Sequence, residues 1–220
     1  MTDGTIRVAV VTGGHSIEAP ALHGLFRGMR GVEAFIQSMD DFCCDVGHAR
    51  STYDAVVFYN MHPGRPRDDG PWYCGKQETA LSTLGQTSQG MFLLHHAILA
   101  FPDWPLWREI SGVTPATFTA YLHGQQIDVH VSRRDHPITR GLSDWRITDE
   151  TYTMAGAESP DSQVLLTTDH PQCIPTIAWT RQFRQARVLC LQLGHDGVAM
   201  SNAGFRQVVR RGIRWVAKKD

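Results

Sequence analysis

Histidine exchanges protons near neutral pH and is the commonest metal ligand in proteins. Three of the eleven histidines stand where an apolar run stops. His15 follows Ile6 to Val11 and Thr12-Gly13-Gly14, His95 directly follows Gly90-Met91-Phe92-Leu93-Leu94, and His195 follows Arg187 to Leu193 and Gly194. A buried strand that ends in histidine presents an imidazole at the rim of its sheet, where open α/β sheets collect ligands. His95 stands at a strand-to-helix junction, the position from which a nucleophile elbow exposes its side chain. An imidazole there suits a general base, a metal ligand or a hydrogen-bond donor better than a durable covalent nucleophile.

A further cluster, Asp149-Glu150-Thr151-Tyr152, follows the strand-like Trp145-Arg146-Ile147. In an extended chain Glu150 and Tyr152 share one face and Asp149 takes the other. Glu150 is then an acid/base or ligand that Tyr152 orients; the plainer alternative is a solvated acidic turn. Zinc accepts three histidines and a carboxylate, so His15, His95, His195 and Glu150 form the candidate metal set. No H-x-H or H-E-x-x-H spacing supports it, and the set depends on tertiary convergence. His123 and His130 are lesser candidates, His136 reads as a turn former before Pro137, and His96 reads as structural.

The elements that must position these groups follow from periodicity. Ile6 to Val11, Glu33 to Met39, Ala55 to Met61 and Gly90 to Leu94 read as buried strands, with helices at Ala19 to Met29 and Lys76 to Leu84 between them. Pro63 to Pro71 reads as a loop. Alternation of this kind implies a parallel sheet with right-handed crossovers and helices on both faces. Ala120 to Val131 and Ser143 to Met154 look like antiparallel strands or extended excursions. Gln163 to Thr168, Thr176 to Trp179 and Arg187 to Leu193 restore strand character, and Phe205 to Val216 closes the chain as an amphipathic helix.

Composition bounds the function. The 220 residues are 42% apolar, enough for one ordinary core, and the reading is a single domain over 1–220. A formal charge of −1 leaves no cationic field for a nucleic acid, and a small neutral ligand or a protein partner fits better. The longest apolar runs are too short to cross a bilayer, and the start of the chain lacks the pattern of a secretory signal, so the expected address is cytoplasmic. Five cysteines without C-x-x-C spacing read as reduced thiols. Gly13-Gly14 belongs to neither phosphate-binding glycine pattern, so no nucleotide cofactor is expected. Trp72, Trp104, Trp107 and Trp179 read as a flat wall for a sugar ring or as core and loop anchors.

Taken in order, Thr12-Gly13-Gly14-His15, Gly90 to His95, His136-Pro137-Ile138-Thr139 with Gly141-Leu142, Asp149 to Tyr152, Pro175 to Arg181, Arg187-Val188 through Gly194-His195-Asp196, and Arg211 to Trp215 resemble the ThuA-like trehalose-utilisation family, within the class I glutamine amidotransferase-like superfamily. The resemblance covers essentially the whole chain. It implies a three-layer flavodoxin-like fold with its site at the strand ends, and a role in carbohydrate metabolism, notably on disaccharides or their keto derivatives. The elbow cysteine of the amidotransferases is replaced by His95, which argues against glutamine hydrolysis.

The expectation is a sugar lyase, isomerase or hydrolase rather than a redox enzyme. His95, Glu150 and His195 are its catalytic candidates; His15, Tyr152 and Arg181 bind substrate; a divalent metal such as zinc is the candidate cofactor. The rival reading is a non-catalytic sugar-binding or regulatory module. A third is a homo-oligomer packed through the region from Trp72 to Trp107.

Overall fold

The computed structural model describes residues 4–113, 118–154 and 159–220. Its strands are β1 (Ile6–Gly13), β2 (Val32–Ser38), β3 (Ala55–Asn60), β4 (Gly90–Leu94), β5 (Phe118–Val131), β6 (Trp145–Met154), β7 (Gln163–Thr167), β8 (Thr176–Phe183) and β9 (Ala186–Leu191). Its α-helices are α1 (Ala19–Phe26), α2 (Met39–Cys44), α3 (Gln77–Ser82), α4 (Pro105–Ser111), α5 (Gly197–Ser201) and α6 (Ala203–Val216). The strands form one sheet in the order β2-β1-β3-β4-β9-β8-β7-β5-β6. Pairings from β2 to β9 are parallel and those from β9 to β6 are antiparallel. The expected α/β fold is present, as a mixed sheet with a parallel core.

Helices cover both faces. Phe58 pairs in register with Leu93, so Phe92 points to the opposite side. On the first side Phe58 packs edge-on against Phe42 of α2 and Trp107 of α4. On the second, Phe92 meets α6, where Gly212 lets the helix backbone come close to Leu189 and Phe92. β3 is buried from end to end, and β1 is buried except at Arg7 and its last two residues, as expected of strands covered on both faces. No helix among the described residues is long and apolar enough to cross a membrane.

Several boundaries differ from the periodicity. The first helix ends at Phe26 rather than Met29, because Arg27 turns extended and Gly28 takes a left-handed φ of 73°. Met39 opens α2 instead of closing β2, since the Ser38 side chain caps the helix by accepting the Asp41 N–H at 3.0 Å. The strand predicted over Thr176 to Trp179 continues to Phe183 as one arm of the β8–β9 hairpin. His95 to Leu99 forms a 3-10 turn.

Candidate functional site

Three segments meet at the carboxyl edge of the parallel core. β4 and β9 are neighbours, so the residues that follow them, His95 and His195, emerge side by side. His95 holds a left-handed backbone with φ of 56°, a conformation costly for a non-glycine residue. This strained turn, right after a fully buried strand, is the geometry of an elbow that lifts a side chain off the sheet. The path to His195 runs through Gly194, whose φ of 118° and close approach to the Phe205 ring leave no room for a side chain. The third segment, β6, is held over this edge by its main chain. Its Tyr152 carbonyl accepts the Ile174 N–H at 2.7 Å, and its Glu150 carbonyl accepts the Gln192 side-chain amide at 2.9 Å.

Inside this frame three atoms form a small triangle. His95 Nε2 lies 3.2 Å from Glu150 Oε2 and 3.3 Å from His195 Nδ1, and His195 Nδ1 lies 3.4 Å from the same Glu150 oxygen. On its far side the His95 ring donates from Nδ1 to the Gln192 carbonyl at 2.7 Å. A carbonyl only accepts, so that bond fixes the proton on Nδ1 and turns Nε2 inward as the working nitrogen. Tyr152 brings its hydroxyl to 2.9 Å from Nε2. His95, Glu150 and Tyr152 are buried, while His195 is part-exposed and opens the group to solvent.

Electrostatics follow from this packing. Burial alone would lift the Glu150 carboxyl, but the hydrogen bond from His195 and, when its Nε2 carries a proton, that from His95, with the charge of both rings, overcome it and hold the group well below the usual carboxylate range. The same bond to Glu150 raises His195 against its own partial burial. Burial and the neighbouring carboxylates push Tyr152 far up, so it stays a neutral phenol and hydrogen-bond donor. Asp149 lies beneath as a support, accepting the main-chain N–H groups of Glu150 at 2.8 Å, Gly194 at 2.7 Å and His195 at 3.0 Å. Among the described residues His95, Glu150 and His195 form a group that could hold a metal ion.

The other sequence candidates are placed differently. His15 reaches the same rim but not the triangle: its Nδ1 donates to the Ser16 carbonyl at 2.7 Å and its exposed ring rests on His96, with centroids 4.8 Å apart. Two left-handed glycines, Gly13 and Gly14, turn the chain outward before His15, which removes it from the candidate metal set. Arg181 is placed away from the site. β8 runs antiparallel to β9, so Arg181 sits opposite Val188, toward the amino edge of β9, where it donates to Ser162 at 2.9 Å. Trp104, Trp107 and Trp179 are core rather than a sugar wall; only Trp72 of the four is exposed.

His123 gains what those residues lose. A register shift between Leu122 and Gln125, with Gly124 in a left-handed turn, aims it from β5 at the site. Its Nδ1 lies 3.1 Å from Glu150 Oε1 and its ring 4.6 Å from that of His195, with 58% of the side chain exposed. His96 lies buried beside His95, tilted against Tyr59 with ring centroids 4.5 Å apart, and neither ring nitrogen makes a hydrogen bond of normal geometry. Burial, with the charges of His95 and His15, pushes it down to about 3 and keeps it neutral. Sequence reasoning missed Tyr59, whose hydroxyl donates to the Gly194 carbonyl at 2.9 Å, and Gln192. Both lie within or directly after buried strands and carry no signal beyond being polar in an apolar run. A groove of about 660 Å³, lined by Tyr53, Gln86, Gln89 and Lys218 among others, lies at the opposite edge, before β3 and β4.

Comparison with known proteins agrees with this architecture. A family model described as trehalose utilisation, ThuA, matches residues 29–216. A ThuA-like protein of Parabacteroides merdae is 21% identical over 96% of this chain and 90% of that one, with a TM-score of 0.70. A cytoplasmic protein of Salmonella typhimurium is 11% identical over 95% and 99%, with a TM-score of 0.63. A GMP synthase protein of Thermoplasma acidophilum is 14% identical over 97% and 95%, with a TM-score of 0.54. At these identities the structural matches carry the fold alone, that of ThuA-like and glutamine amidotransferase-like proteins. No curated protein sequence matches.

Proposed function

Because the chain belongs to the ThuA trehalose-utilisation family, we propose that it is a carbohydrate-metabolism enzyme that moves a proton at a carbonyl or hydroxyl carbon of a disaccharide or keto-sugar. The observation that supports this reading is the convergence of His95, Glu150 and His195 at the carboxyl edge of the parallel core. His95 Nε2, its other nitrogen held by Gln192, is the base. Glu150 stays ionised beside it and stabilises the imidazolium that forms. Tyr152 donates to Nε2 in the resting site, and its neutral phenol can turn that O–H to a substrate oxygen on which negative charge develops. His195 and the exposed His123 line the open side where a sugar enters. A divalent ion such as zinc suits the same donors and would polarise a bound oxygen.

A lyase, isomerase or hydrolase reaction fits these groups better than redox chemistry, since the sequence carries neither glycine pattern of a nucleotide-binding turn. The histidine at the elbow leaves no thiol there to form the thioester of glutamine hydrolysis. The cytoplasmic description of the Salmonella neighbour supports a cytoplasmic setting. The test is a screen of keto-disaccharides and their parent sugars with wild-type protein and His95→Ala. Consumption by the wild type that falls by 10²-fold or more in the variant, on the scale of about 10²–10⁴ for a lost acid/base group, supports the proposal. Equal turnover by both overturns it. Tight sugar binding without consumption would favour the non-catalytic module.

A further inference from the structure

We propose that His95 Nε2, Glu150 Oε2 and His195 Nδ1 are the three protein ligands of one zinc-type ion, bound tetrahedrally with the fourth position left to solvent or substrate. The proposal deepens the functional reading by naming the ion that this site takes, and it rests on that reading in treating the cluster as the working site; with the ion in place the His95 Nε2 lone pair is given to it, so His95 is a ligand there and the base only in the ion-free protein.

The separations carry the argument. Metal–ligand bonds of about 2.0–2.2 Å in a tetrahedron require ligand atoms about 3.3–3.6 Å apart. An octahedral ion with bonds of about 2.0–2.1 Å would bring adjacent ligands to about 2.9 Å. The three edges here are 3.2, 3.3 and 3.4 Å, at the lower end of the tetrahedral spacing and longer than the octahedral one. Protons on the two imidazoles can bridge at most two of the edges, whereas a central cation meets three lone pairs together.

The surroundings match what ligands to a metal require. A ligating histidine characteristically gives its other N–H to a carbonyl or carboxylate, as His95 gives Nδ1–H to Gln192. A ligating carboxylate is itself hydrogen-bonded, as Glu150 is through Oε1 to His123. The main chain that carries His195 is pinned by Asp149. Two histidines and a glutamate with one open position is an established set for catalytic zinc. Tyr152, 2.9 Å from one ligand atom, borders that position.

The full-length protein is analysed for metal as purified, stripped with a chelator and reloaded with cobalt(II), whose visible spectrum distinguishes four- from six-coordinate sites. The expected result is zinc in the isolated protein, one cobalt per chain with intense tetrahedral bands, and loss of those bands in Glu150→Gln and His195→Gln. If those variants fail to fold, His123→Gln, which removes only a partner of a ligand, is expected to weaken cobalt binding about 10–100-fold. His130→Gln is the control, because His130 sits between Asp144 and Asp169 on the surface and could take up cobalt unspecifically; it is expected to leave the bands unchanged. A pale six-coordinate spectrum, unchanged binding in the ligand variants, loss of the bands in His130→Gln, or iron or manganese in place of zinc would each overturn the assignment. These readouts need no sugar. A loaded site that consumes no keto-disaccharide would sink the functional reading and spare the ion, and turnover by metal-free protein would do the reverse.

Discussion

Asp149 and His195 come from opposite ends of the antiparallel half and meet through one hydrogen bond, the Asp149 carboxylate accepting the His195 main-chain N–H at 3.0 Å. Its second oxygen accepts the Gly194 N–H at 2.7 Å. A side chain of β6 thereby sets the backbone of the turn after β9. Asp149→Ala leaves three buried N–H groups without acceptors, at about 1–3 kcal/mol each before relaxation. We expect a loss of at least about 2 kcal/mol in urea unfolding. Asp149→Asn should fold better than the alanine variant yet lose activity, because its amide must turn a donor toward one of those N–H groups.

The left-handed backbone of His95 makes a second prediction. Both His95→Ala and His95→Gly remove the imidazole, but only glycine relieves the strain, worth about 1–2 kcal/mol. The glycine variant should therefore be at least as stable as the alanine variant in denaturant titrations, although glycine usually loses stability through chain entropy. A glycine variant less stable by about 1 kcal/mol would remove the case for strain at the elbow.

Gly194 offers a third. A methyl group there would lie 2.9 Å from Phe205 Cζ at a φ that side chains rarely adopt. Gly194→Ala should lower stability by about 1–3 kcal/mol and turnover by more than that loss explains, since His195 is the next residue. Unfolding curves and kinetics on the same preparation separate the two effects.

Tyr152→Phe keeps the ring and deletes one hydroxyl. Its stability should change by about 1 kcal/mol, while kcat falls by about 10²-fold if the phenol stabilises developing charge. Unchanged kcat would limit Tyr152 to packing.

His136 supplies a prediction about pH away from the site. Burial, then the Arg133 charge, holds its pKa below the ordinary value, and its Nδ1 accepts the Ile138 N–H at 3.2 Å in the neutral form. The unfolded chain therefore takes the proton first. The stability it contributes is present above about pH 6.5 and is lost as pH falls from there toward the lower folded value. His136→Asn retains an acceptor for that N–H and does not titrate. The wild type should lose stability relative to this variant between about pH 7.5 and 5; parallel curves would show that burial does not hold His136 neutral.

Much of this arrangement is legible in the sequence because strand burial and strand ends leave local marks. Leu94 to His95 and Leu193 to His195 are abrupt changes from apolar to polar, and the alternation of Glu150 with Tyr152 places both on the face that meets His95. Arg181 misleads for a physical reason: the rule that sites gather at carboxyl ends belongs to parallel strands, and β8 runs the other way. His15 lies at a correct strand end but behind two glycines whose backbone freedom leaves its direction open. His123 depends on an irregularity in β5, which no periodicity reveals.

The position of β9 has a consequence for biosynthesis. Of the described strands this one comes last in sequence yet sits in the middle of the sheet, between β4 and β8. A ribosome-bound polypeptide lacking it holds two half-sheets with raw facing edges, and neither can close until the residues of β9 have left the exit tunnel. Such distant closures are slow, and unpaired edges invite association with other chains, so the nascent protein is at its most vulnerable until β9 emerges.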